Sequence, residues 1–144
     1  MTASAWVSAE PIDLPALLGR VGAPTHGAVT SFVGQVRDHD PEASGRVVAL
    51  RYTCHPDAPA LIEQIVARTV AEHDPAGEAD VAATHRVGDL DVGDLALVVA
   101  VGSAHRDLAF TLCRAVVEAI KHELPVWKQQ FEADGSHAWS GLGC

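Results

Sequence analysis

The chain has 144 residues, 48% of them hydrophobic and 20% charged. That suits one domain, residues 1–144, with a packed core, and it excludes wholesale disorder. Ten basic residues against nineteen acidic ones give a formal charge of −9, so broad nucleic-acid binding is not expected and any anionic ligand must meet a few clustered cations. No apolar run reaches the roughly 18 residues of a membrane span. The N-terminus shows no basic segment followed by an apolar one, so no signal peptide is expected. Three cysteines, Cys54, Cys113 and Cys144, have neither metal spacing nor an even count, which fits a reducing, cytoplasmic setting.

In chain order, 6–12 reads as a short opening strand. Asp13 is a helix cap, Pro15 suits the first turn and Gly22 stops the helix. Residues 27–37 form a strand candidate with apolar residues on both faces, expected to be internal to a sheet, and Gly34 inside it suggests a bulge. DHDPEASGR, 38–46, is a polar and mobile loop. The chain returns as a strand over 47–54. Asp57 caps a helix to about Asp74, with Leu61, Ile62, Ile65, Val66, Thr69 and Val70 in one apolar stripe. Strands at 81–87 and 95–101 are joined through GDLDVGD, whose Gly-Asp steps favour a turn. Ser103 caps a long helix to about Leu124 whose buried stripe is Ala109, Leu112, Cys113, Val116, Val117 and Ile120. Pro125 stops it. A strand over 126–131 and an Asp134-Gly135 turn follow. This mixture of strand pairs and helices suggests an α+β layered fold.

The chemistry-bearing residues are few. Lys121 and Lys128 are the only lysines, seven apart across the Pro125 break. A helix that stops and doubles back into a strand can bring both ammonium groups into one pocket. Lysine, unlike arginine, can give up its proton and act as a nucleophile. Equally, Lys121 suits a helix C-terminus and a pairing with Glu118, and Lys128 suits a solvated strand. Ser103-Ala104-His105-Arg106 opens a helix, where free N–H groups, an arginine fork and a histidine make an anion site. The alternative is that Arg106 pairs with a carboxylate and His105 packs at the helix start. Gln35-Val36-Arg37 ends a strand beside a loop, a frequent place for site residues, though Arg37 also suits an ion pair with Asp38 or Asp40. Cys113 belongs to a core stripe. Cys54 and His55 are adjacent and would point apart on a strand. The eight histidines show no ligand spacing, so no metal site is expected.

GAVTSFVGQVRDHD at 27–40, THRVGDLDVGD at 84–94, VGSAHRDLAF at 101–110 and IKHELPVWKQQ at 120–130 together resemble the large, catalytic subunits of molybdopterin synthase, over roughly residues 5 to 140. The resemblance implies an α+β hammerhead-type fold and a homodimer flanked by two copies of a small ubiquitin-like subunit. It implies a sulfurtransferase of molybdenum cofactor biosynthesis that converts cyclic pyranopterin monophosphate to molybdopterin. Two sulfurs enter as a dithiolene, carried as a thiocarboxylate on the C-terminal Gly-Gly of the small subunit. No cofactor and no cysteine of the chain's own is implied. By motif, Lys121 and Lys128 match the catalytic lysines. Gln35, Val36, Arg37, His105, Arg106, Lys128, Gln129 and Gln130 match substrate-contacting segments, with Lys121 among them. One position departs: many relatives carry an arginine shortly after the tryptophan matching Trp139, whereas Ser140 to Cys144 holds no cation, leaving that task to a residue such as His137. Two other readings fit the residues alone, a non-catalytic adaptor for a Gly-Gly tail and a Schiff-base lysine enzyme on a small phosphorylated carbonyl compound.

Overall fold

The structure is a computed structural model that describes residues 2–140. The element order is β1 (Ala3–Ser8), α1 (Leu14–Val21), β2 (Ala28–Gln35), β3 (Val47–Cys54), α2 (Ala58–His73), β4 (Asp80–Arg86), β5 (Gly88–Asp91), β6 (Leu95–Ser103), α3 (Arg106–Glu123), β7 (Val126–Glu132) and β8 (His137–Ser140). They build an α+β fold with two four-stranded sheets. One has the order β1-β4-β6-β2, and the other β5-β3-β7-β8. Among the described residues only the β1–β4 pair is parallel.

The first sheet is covered on both faces, and strand alternation sorts its residues between two cores. Val81, Ala83, Leu97, Val99 and Val101 join the large core, which contains the α2 and α3 stripes. Ala82, Val98 and Ala100 face the other way, onto Leu17 and Val21 of α1. This is why β6 reads as an unbroken apolar run: neither of its faces meets water. The α3 stripe is buried as expected, from Ala109 to Ile120. In α2, Ile62, Ile65, Val66 and Thr69 are buried, with Leu61 and Val70 packed at the margin.

Several expectations are corrected. The opening strand lies at Ala3–Ser8, in parallel register with Val81–Arg86. It ends where the Ser8 hydroxyl accepts from the Glu10 amide at 3.1 Å and Pro11 has no N–H to continue a ladder. Among the described residues β2 is an edge strand, hydrogen-bonded only to β6. Ala28 and Phe32 pack on the large core and Val33 on the smaller one, whereas Val29 on that second face is exposed. The bulge at Gly34 is present as a register shift at Gly34/Gln35. GDLDVGD is two bends around a short strand: Gly88 and Gly93 take φ of 100° and 93°, and β5 between them pairs with β3. Ser103 is not the cap of α3. His105 occupies that position without a side-chain cap, and the Ser103 hydroxyl donates to the His105 carbonyl at 2.6 Å. Asp57 sits at the start of α2 but its carboxylate makes no capping bond, whereas Asp13 accepts from the Ala16 amide at 3.1 Å. After the Asp134-Gly135 turn the chain adds β8 beside β7.

Candidate active site

A cavity of about 300 Å³ opens at the seam between the two sheets. β2, β4, β6 and α3 reach it with one end, and β3 and β7 with one face. β2 delivers Gln35, and the chain runs on through Val36 to Arg37. The Val36 amide donates to the Asp94 carbonyl at 2.9 Å, and the Gly93 amide donates back to Val36 at 2.8 Å, so the backbone stays tied past the strand's end. The last turns of α3 bring Ile120 and Lys121. The chain then breaks at Leu124-Pro125, and β7 returns Val126, Lys128 and Gln130 along one face. Opposite them in β3, Tyr52 is in register with Lys128, and Leu50 with Gln130. His85 closes the seam from the first sheet, its ring edge-on to Tyr52 with centroids 5.0 Å apart and planes at 82°.

The electrostatics are those of a few charges in a partly dry space. Lys128 Nζ donates to Asp40 Oδ2 at 3.0 Å, with side-chain exposures of 12% and 15%. Burial pushes the Asp40 carboxyl up. The Glu42 amide, the Lys128 hydrogen bond and charge, and the nearby Gln130 amide outweigh burial and hold it below its ordinary value. His85 is driven down to about 4, first by burial and also by the Lys121 charge, against the hydrogen bond to the Arg86 carbonyl. His85 is therefore a neutral imidazole at pH 7. Its Nδ1 lies 2.7 Å from the Arg86 carbonyl oxygen, so it carries the proton there. Gln130 is fully buried, and among the described residues neither its Nε2 nor its Oε1 has a hydrogen-bond partner within ordinary geometry.

The cavity gathers Gln35, Val36, Arg37, Lys121, Lys128 and Gln130 from the candidate residues. Gln129 is not among its walls, because strand alternation turns it to the other face of β7. His105 and Arg106 are not there either. They open α3 and Lys121 lies near its end, 15 residues on, which is about 22 Å along a helix axis. Arg37 forms no ion pair among the described residues; of its acidic neighbours, Asp40 pairs with Lys128 instead. The loop 38–46 is pinned: Glu132 accepts from the Ser44 hydroxyl and the Gly45 amide, and the Val47 amide donates to Asp38. His137 lies on β8, outside the cavity, and the cation-free tail 141–144 lies outside the described residues.

Sequence reasoning missed Tyr52, His85 and Asp40. Tyr52 shares parity with Leu50 on a strand, the one signal that placed it inward. His85 stood within THRVGDLDVGD with no charge pattern to mark it. Neither described cysteine competes as a nucleophile: burial raises both thiols, and Cys113 Sγ sits 3.8 Å from the Val99 carbonyl in the core. Among the described residues, no group of three or more His, Cys, Asp or Glu could hold a metal ion, and no helix is long and apolar enough to cross a membrane.

Two lysines, an arginine, a neutral histidine and an unpartnered amide around a half-open cavity suit a small anionic substrate and proton transfer. Comparison with known proteins points the same way. The family model described as MoaE protein matches residues 7–123. Molybdopterin synthase catalytic subunit 1 of Mycobacterium tuberculosis is 35% identical over 132 residues, covering 92% of this chain and 86% of that protein. The molybdopterin synthase catalytic subunit of Bacillus subtilis is 34% identical over 136 residues, covering 94% and 83%. The crystal structure of molybdopterin synthase from Staphylococcus aureus superposes with a TM-score of 0.81 at 27% identity, covering 94% of this chain and 96% of that one. With most of its length matched in sequence and in fold, this chain belongs to the MoaE protein family.

Proposed function

We propose that this chain is the catalytic subunit of a molybdopterin synthase, acting on cyclic pyranopterin monophosphate with a small ubiquitin-like subunit as sulfur donor. The observation that carries the reading is the convergence of Lys121 and Lys128 in one cavity, from a helix end and the strand after it. It is supported by relatives that bear the name of catalytic subunit, which also sets the adaptor reading behind it. The cytoplasm, where precursor and partner would meet, is part of the same proposal, as is the action of residues 1–144 as one domain.

In this mechanism the partner's Gly-Gly tail enters the cavity extended, recognised through backbone hydrogen bonds because it offers no side chain. Lys128 and Arg37 meet oxyanions, and Gln35 and Gln130 supply neutral hydrogen bonds. Lys121 holds or moves the proton as each sulfur bonds to a carbon of the pterin side chain and a carbon–oxygen bond there breaks, the oxygen leaving as water or on the opened phosphate ester. Water then adds to the acyl carbon of the thioester so formed and its carbon–sulfur bond breaks, which leaves the sulfur on the pterin and frees the tail as a carboxylate. The apolar walls, among them Leu50, Ile120, Leu124 and Val126, strengthen each charge interaction by excluding water.

His105, Arg106 and Gln129 remain substrate-contacting residues in the proposal, with His105 and Arg106 serving the cavity of a second copy. The outer edge of β2 is unpaired among the described residues, and Val29 and Phe110 beside it are 46% and 61% exposed. A homodimer across this face would place the start of α3 at the subunit boundary. The test of the functional reading is reconstitution from the purified chain, thiocarboxylated small subunit and precursor. Dithiolene product is expected with the intact partner and none with a partner lacking its last two glycines. Equal product from both would overturn the reading.

A further inference from the structure

The ion pair between Lys128 and Asp40 uses a cation that the proposed chemistry needs for its ligand. Both side chains line the cavity. Both are largely shielded from water, at 12% and 15% exposure, so neither is an ordinary surface partner. Apart from Lys128, Asp40 accepts from the Glu42 amide on Oδ1 at 2.9 Å, and the nearby Gln130 amide also favours its charged form. The loop does not depend on this pair for its position. Its later half is fastened by Glu132 to Ser44 and Gly45, and its base by Val47 to Asp38. Lys128 and Glu132 sit four apart on one strand, so the catalytic contact and the structural contact are separate bonds of the same β7. Between them lies fully buried Gln130; among the described residues neither amide atom meets a partner within ordinary hydrogen-bond geometry, although the amide is near enough to Asp40 to favour its charge, so the polar wall beside the carboxylate is incomplete.

We propose that the Asp40 carboxylate is a resident anion, held on Lys128 until an incoming oxyanion replaces it, so that Asp40 decides which ligands the cavity admits. The inference rests on the reading of this cavity as the substrate site. An ammonium left alone in a partly dry wall is costly, and Asp40 removes that cost while the cavity is empty. A neutral ligand cannot take over this role, so Lys128 stays paired. A phosphate brings more charge and more acceptor oxygens than one carboxylate, and a tail carboxylate or thiocarboxylate brings equal charge with a backbone to anchor it. Either can displace Asp40 by rotation of its side chain, with the loop still fastened through Glu132. Competition from within the chain lowers the apparent affinity of every oxyanion by the fraction of time Asp40 occupies Lys128.

Inorganic phosphate and acetyl-glycyl-glycine are the two probes, standing for the substrate phosphate and the partner's tail. Binding is read by calorimetry and by the side-chain NMR signals of the only two lysines. Asp40→Asn keeps the acceptor for the Glu42 amide, and Asp40→Ser serves as a second variant should the first fail to fold. At least one probe should bind about three- to tenfold tighter to the variant than to the unaltered chain. In a Lys128→Gln background the same Asp40 change should have no effect. A gain with phosphate alone assigns the exchange to the substrate, and a gain with the dipeptide alone assigns it to the tail. Equal or weaker binding of both probes, with the Lys121 signal unmoved to show an intact fold, overturns the proposal. No turnover enters this test, so its failure would leave the sulfur-transfer reading standing, and a failed reconstitution would leave this exchange intact.

Discussion

His85 shows how one buried side chain ties stability to the chemistry of the cavity. It is 8% exposed, packed edge-on to Tyr52, and neutral because burial and the Lys121 charge lower its pKa to about 4. In the unfolded chain an ordinary histidine titrates near 6.5, so between about pH 6.5 and 4 the unfolded state binds more protons than the folded one. Stability is then complete above pH 6.5 and falls as the pH drops towards 4. From pH 7 to pH 5 the loss from this residue should be about 2 kcal/mol. Urea unfolding of the unaltered chain and of His85→Gln at both pH values checks this. The variant should lack that share of the acid loss, and an identical pH dependence would mean that His85 is not held neutral by the fold. Lys121 and Lys128 have a different kind of dependence. Their value lies in being brought together, and a histidine kept uncharged beside Lys121 avoids adding a fourth positive charge to those of Lys121, Lys128 and Arg37 in the same small space.

At the scale of elements, the fold depends on close backbone approach as well as on apolar stripes. Gly102 in β6 is overlain by the Val21 carbonyl at the end of α1, and an added Cβ would collide with that carbonyl and press on His26 Nδ1. Gly102→Ala should therefore push α1 off the sheet and cost about 2–4 kcal/mol, read as a lowered urea midpoint. A neutral effect would mean that α1 docks more loosely than described. This contact was invisible in the sequence, where the strand was expected to end at Val101, one residue short of Gly102. The stripes of α2 and α3 and the break at Pro125 were legible because periodicity and proline act locally. So was the meeting of Lys121 and Lys128, since a helix stopping into a strand fixes both positions within a few residues. What escaped reading depended on partners far along the chain. β5 and β8 are four-residue strands that exist because β3 and β7 offer edges to pair with. The edge position of β2 could not be told from its two apolar faces, and Asp40 could not be assigned to Lys128, 88 residues away.

For the whole molecule, two sheets meeting at a seam make a cavity that no single element could build, and α3 runs from that cavity to the exposed margin beside β2. The proposal that Arg106 serves a second copy follows from this span. Mixing Lys121→Arg chains with Arg106→Ala chains should restore part of the activity, since a mixed dimer then holds one cavity with both residues intact. No recovery would confine Arg106 to a role within its own chain. The central claim, that Lys121 moves a proton as sulfur reaches the pterin, is tested most directly by Lys121→Arg in single-turnover reconstitution with thiocarboxylated partner and precursor. Arginine keeps the charge but does not release its proton near neutral pH. The account predicts a folded variant that still binds the partner and forms dithiolene at least a hundredfold more slowly, the scale of a lost general acid–base group. Turnover close to that of the unaltered chain would contradict it.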